Sequence, residues 1–89
     1  MKILVVEDDV LISEDIRAML LNLGYAVTGI AANYEQAVQL LDTDPPDLAL
    51  VDINMFGEDQ GFAVAEYINA NLKIPYVFLT AFSDPKTVG

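Results

Sequence analysis

The chain has 89 residues, 54% of them hydrophobic, with 14 acidic side chains against 4 basic ones, a net charge of −10 at pH 7, and no His, Cys or Trp. That length fits one domain, and the missing residue types exclude disulfide scaffolds, thiol nucleophiles, Cys-based metal sites and any imidazole acid–base or triad chemistry. The negative charge disfavours direct contact with nucleic acid or an anionic membrane surface.

Lys2–Val6 is a short continuous apolar run, the pattern of a strand covered on both faces. It lacks the cationic start and long apolar core of a signal peptide. No stretch approaches the ~18 apolar residues of a membrane span, so a cytoplasmic location is expected. Asp9 then caps a helix predicted over residues 10–23. Its apolar positions Ile12, Ile16, Leu20 and Leu23 step by 4, 4 and 3, and Gly24 supplies the left-handed stop. Residues 25–31 read as a second strand, interrupted by Thr28 and Gly29. Asn33, with Gln36 three positions on, resembles a capping box, and Ala37, Leu40 and Leu41 give the helix that follows an inner face. Asp44-Pro45-Pro46 ends that helix.

A third strand is predicted over residues 47–52, followed by the turn-rich patch Gly57-Glu58-Asp59-Gln60-Gly61. The next helix, residues 62–72, places Ala65, Ile68 and Leu72 on one face with Phe62 beside them. Pro75 opens a fourth strand over residues 76–80. Residues 83–88 look like the capped first turn of a helix with an early Pro. Alternating strands and helices imply right-handed crossovers and a parallel, doubly wound α/β sheet. Ligands of such sheets bind beyond the carboxyl ends of the strands.

Three of the four strands end in oxygen ligands: Glu7-Asp8-Asp9, Asp52-Ile53-Asn54, and Thr80. Acids brought so close repel one another, and a cation among them relieves the repulsion. An all-oxygen set with few carboxylates matches Mg²⁺, which keeps waters and leaves room for a phosphoryl oxygen. Asp9 is readily accounted for as a helix cap. A carboxylate such as Asp52, directly after the buried run Leu48-Ala49-Leu50-Val51, is costly unless paired or metal-bound.

The runs Ile3-Leu4-Val5-Val6-Glu7-Asp8-Asp9, Leu48-Ala49-Leu50-Val51-Asp52-Ile53-Asn54-Met55 and Ile74-Pro75-Tyr76-Val77-Phe78-Leu79-Thr80-Ala81 resemble the receiver domain of two-component response regulators, in order and spacing along the whole chain. The resemblance implies a flavodoxin-like sheet of order 2-1-3-4-5. It makes Asp52 the phosphoacceptor, taking its phosphoryl group from a phosphohistidine on a sensor histidine kinase or phosphotransfer protein. Glu7, Asp8 and Asp52 would hold Mg²⁺, with Asp8 the nearer of the first two and Glu7 acting through water, and Asn54 would add its backbone carbonyl. The Thr80 hydroxyl would bind the phosphoryl group and act as the switch toward a downstream output domain. The family is not one of enzymes beyond assisting its own phosphorylation and dephosphorylation.

The chain departs from the family in two places. Phe56 stands where Pro is usual, and the Gly-rich acidic loop after it is similar to a subgroup often seen ahead of LytTR-type DNA-binding outputs. The fifth strand, the Lys that ends it and the last helix have no counterpart in the 89 residues. The sequence is therefore expected to be a partial receiver domain, residues 1–89, short of about 30 residues by ordinary element lengths. Phosphotransfer to these residues alone is expected to be weak or absent. The Tyr76–Leu79 strand is expected to be an open edge that invites pairing with a second copy. Two other readings compete. A Mg²⁺-dependent phosphohydrolase would need a second acid where Asn54 stands and more cations for its substrate. A receiver-shaped interaction module would take no phosphate.

Overall fold

The computed structural model describes residues 1–53 and 60–79. The expectations for Asn54, Phe56, Thr80 and the helical turn at 83–88 lie outside the described residues. Within them run β1 (Lys2–Val6), α1 (Val10–Asn22), β2 (Ala26–Ala31), α2 (Tyr34–Thr43), β3 (Leu48–Asp52), α3 (Gln60–Asn71) and β4 (Tyr76–Leu79). The strands form one sheet of order β2-β1-β3-β4, every neighbouring pair parallel. This is the order that the resemblance implies, on the parallel sheet that the alternation predicts.

Side chains alternate across a strand, so β1 feeds two cores at once. Ile3 and Val5 pack with Ile16 and Leu20 of α1, while Leu4 and Val6 pack with Ala37 and Leu41 of α2 and Val64 and Ile68 of α3. This is why the run reads as continuously apolar. On β3, Ala49 and Val51 join the α2–α3 layer, and Leu48 and Leu50 sit partly buried on the α1 side. In β2 the pairing steps from Ile3↔Val27 to Leu4↔Gly29, so Thr28 is the extra residue of a bulge. The interruption seen in the sequence is this bulge.

Asp9 caps α1 as predicted, its Oδ1 accepting from the Leu11 and Ile12 amides at 2.9 and 3.1 Å. The buried face of α1 is Ser13, Ile16 and Leu20, which differs from the predicted apolar positions by adding Ser13 and losing Leu23. Ser13 points inward, its hydroxyl donating to the Val10 carbonyl at 2.9 Å. Leu23 is 70% exposed, because the helix ends at Asn22 and the chain turns back in a Schellman motif. There the Gly24 amide donates to Leu21 O at 3.0 Å and the Tyr25 amide to Leu20 O at 3.0 Å. Gly24 sits at φ 95°, with no atom within 4 Å of where a Cβ would stand. Gly24→Ala is therefore expected to cost about 1 kcal/mol through backbone strain alone. A shift in the urea midpoint at constant m-value would report it.

At α2 the Asn33 Oδ1 accepts from the Gln36 amide at 2.8 Å, and the Gln36 Oε1 in turn accepts from the Ala32 amide at 2.8 Å. The reciprocal cap is thus present, one residue offset on its return arm. Helix α3 starts two residues earlier than its apolar pattern indicates. It buries Val64 as well as the predicted Ala65 and Ile68. Phe62 is 46% exposed and lies on the Phe78 ring, centroids 5.3 Å apart.

Candidate functional site

The period of two that builds the core also builds the site. Glu7 continues the parity of Ile3 and Val5, and Asp52 that of Leu48 and Leu50, on neighbouring strands whose last paired residues are Val6 and Val51. The two acids consequently leave the sheet side by side on the same face. The Glu7 amide still donates to Ala31 O at 2.9 Å, so the backbone is held into the ladder as far as Glu7. Asp8 follows as the chain turns toward α1. Ligand oxygens of Glu7, Asp8 and Asp52 all lie within 4.8 Å of one another.

Glu7 is the buried member, 5% exposed. Its Oε2 accepts from the Asp9 amide at 3.0 Å. Burial pushes the Glu7 carboxyl up to about 7 from its ordinary 4.5; the adjoining Asp8 and Asp52 carboxyls push the same way, and the Asp9 amide opposes them. Asp9, the fourth acid of the region, is spent on capping α1 and stands outside the cluster. Three hard oxygen donors, one of them pushed toward neutrality by its surroundings, suit a small divalent cation such as Mg²⁺ in donor type and charge.

The neighbouring strand and helix complete the surroundings. The Ile53 amide donates to Leu79 O at 3.2 Å, and the register pairs Asp52 with Leu79, the residue before Thr80 in the chain. Two residues that the sequence reading left in a turn-rich patch lie at the start of α3, and one of them lies against the site. Gly61 is buried in the first turn of α3, against the peptide that links Asp52 to Ile53. Gln60 Oε1 accepts from the Tyr34 amide at 3.0 Å, tying the start of α3 to the start of α2. A Gly placed at the first turn of a helix, where it costs helix propensity, was the available signal for the first; the second had none.

The fold and the strand-end acids define a doubly wound domain with an acidic cluster at the carboxyl edge of its sheet. Residues 3–89 match the response regulator receiver domain family, and the chain belongs to that family. It is 38% identical over 82 residues to the transcriptional regulatory protein PdtaR of Mycobacterium tuberculosis, covering 92% of this chain and 40% of PdtaR. Among solved structures it is similar to the anti-anti-sigma factor PhyR of Bartonella quintana, in complex with the anti-sigma factor NepR. That match has a TM-score of 0.85 at 36% identity, over 91% of this chain and 33% of PhyR. A signal receiver domain of a modulated diguanylate cyclase from Desulfovibrio desulfuricans G20 matches with a TM-score of 0.85 at 37% identity, over 98% of this chain and 70% of that one. The chain thus spans well under half the length of PdtaR and PhyR. No helix among the described residues is long and apolar enough to cross a membrane.

Proposed function

We propose that the chain is the phosphoacceptor of a two-component pathway and that Asp52 carries the phosphoryl group. The observation that supports this most is the meeting of Glu7, Asp8 and Asp52 at one point, within 4.8 Å, where β1 and β3 leave the sheet. An Asp52 carboxylate oxygen attacks the phosphorus of a phosphohistidine on a partner kinase. The P–N bond breaks, a P–O bond forms, and the leaving imidazole takes up a proton, so the product is an acyl phosphate on Asp52. The transition state demands little covalent work and much positioning and charge neutralisation.

The residues divide that work. Asp52 is the nucleophile, aimed by the β3 ladder. Asp8, with Glu7 behind it, would hold Mg²⁺, and the Asn54 carbonyl would add a further ligand. Bound there, Mg²⁺ neutralises charge on the incoming phosphoryl oxygens. The Thr80 hydroxyl donates to the phosphoryl group and passes its arrival to a downstream output. Asn54 and Thr80 enter by the family pattern, lying outside the described residues.

The test uses the protein as its gene encodes it, incubated with a small acyl phosphate and Mg²⁺ and followed by intact mass. One phosphoryl group is expected on the wild type, and none on Asp52→Asn or without Mg²⁺. Equal incorporation in Asp52→Asn would overturn the reading. No incorporation in either would favour a receiver-shaped module that acts by binding alone, the reading to which the likeness to PhyR in its NepR complex lends weight.

A further inference from the structure

The geometry points to Gln60 and Gly61 as a positioning pair that clamps the first turn of α3 onto the Asp52–Ile53 peptide and so sets the place of the acceptor carboxylate. The inference rests on the phosphoacceptor reading. A Cβ built on Gly61 would collide with the Asp52 carbonyl oxygen and stand 3.2 Å from both the Asp52 carbonyl carbon and Ile53 Cα. Those are backbone atoms, and they cannot swing aside as a side-chain tip can. The neighbour that would have to move is the peptide of the acceptor itself, where β3 ends.

Contact alone leaves the helix free to tilt away. Gln60, the residue before, removes that freedom. Its Oε1 accepts from the Tyr34 amide, the first residue of α2, at 3.0 Å. Asn33 and Gln36 pin that end of α2 to its own cap. The start of α3 is thereby fixed to a second helix on one side and pressed to the acceptor peptide on the other. Neither residue touches a reacting atom, so the role is positional. A shift of about 1 Å at a reacting group costs on the order of 10²-fold in rate, and outer partners of metal ligands are worth about 10- to 100-fold in affinity.

The experiment measures two quantities on each variant: phosphoryl incorporation at saturating Mg²⁺, on the protein as its gene encodes it, and the Mg²⁺ dissociation constant by calorimetry. Gly61→Ala is expected to slow incorporation by on the order of 10²-fold and to weaken Mg²⁺ binding by at least about tenfold. Gly24→Ala, strained at the opposite end of the sheet, serves as the control for backbone strain away from the site and should change neither. Gln60→Met removes the acceptor at similar size and should slow incorporation, while Gln60→Glu keeps the acceptor oxygen and should restore it. Should Gly61→Ala fail to fold, the Met and Glu pair decides. Wild-type values in both Gly61→Ala and Gln60→Met would overturn the clamp, as would equal effects of Gly61→Ala and Gly24→Ala. A wild type that takes no phosphoryl group would defeat the functional reading, and the Mg²⁺ constants would still judge the clamp.

Discussion

Replacing Glu7 by Gln is expected to stabilise the metal-free chain at pH 7 by about 2 kcal/mol while weakening its hold on Mg²⁺. The carboxyl is raised to about 7 in the folded chain from 4.5, so between those values the folded state binds more protons than the unfolded one. Stability from this group is fully present below pH 4.5 and is lost as pH rises through 7. The full shift corresponds to about 3 kcal/mol at 1.36 kcal/mol per unit, reduced here because Asp8 and Asp52 beside it are only half-buried and solvent screens part of the repulsion. Gln keeps the acceptor for the Asp9 amide and removes the charge. The difference between variant and wild type should therefore be near zero at pH 4 and grow toward pH 7. If the acids hold Mg²⁺ as proposed, Mg²⁺ is expected to reverse the slope in the wild type, because a metal binds the ionised form and its affinity rises as Glu7 loses its proton. Urea unfolding of both proteins at several pH values, with and without Mg²⁺, checks this; a metal-free Glu7→Gln less stable than wild type at pH 7 would refute it.

Ile68→Ala is expected to have the other large effect, a loss of about 2–4 kcal/mol. Ile68 is fully buried, in one cluster with Leu4, Val6, Ala49 and Val51. A chain of this size has roughly 5–13 kcal/mol of stability in all, so the variant gives up a large share of it. The loss falls on α3, the helix that carries Gln60 and Gly61 to the site. Leu23→Ala, by contrast, is expected to stay within about 0.5 kcal/mol, since Leu23 faces solvent. Urea midpoints at unchanged m-value would separate the two, and comparable losses would contradict the packing described here.

Much of this architecture was legible beforehand. The runs at Lys2–Val6 and Leu48–Asp52 announced buried strands, and Asp9, Gly24 and Asn33 marked helix ends through capping chemistry that is local to the chain. That Glu7, Asp8 and Asp52 meet was legible for a different reason, because strand-end positions in a parallel sheet are brought together by topology. What escaped the sequence depends on how elements meet. Ser13 shares α1 with Ile16 and Leu20 while Leu23 lies just past its end, and periodicity alone does not say which positions meet the sheet or where the helix stops. Burial of Glu7, and with it the rise of its carboxyl, follows from the parity that Glu7 shares with Asp52 across two strands. The contact of Gly61 with the Asp52–Ile53 peptide belongs to the crossing of α3 over β3, which no local pattern encodes.

The most direct test of the account is to locate the phosphoryl group itself. The protein as its gene encodes it is phosphorylated with Mg²⁺ and a small acyl phosphate, then treated with borohydride, which reduces an aspartyl phosphate to homoserine, and the peptides are sequenced by mass. Homoserine at position 52 is the predicted result; homoserine at Asp8 or another acid, with Asp52 intact, would contradict it.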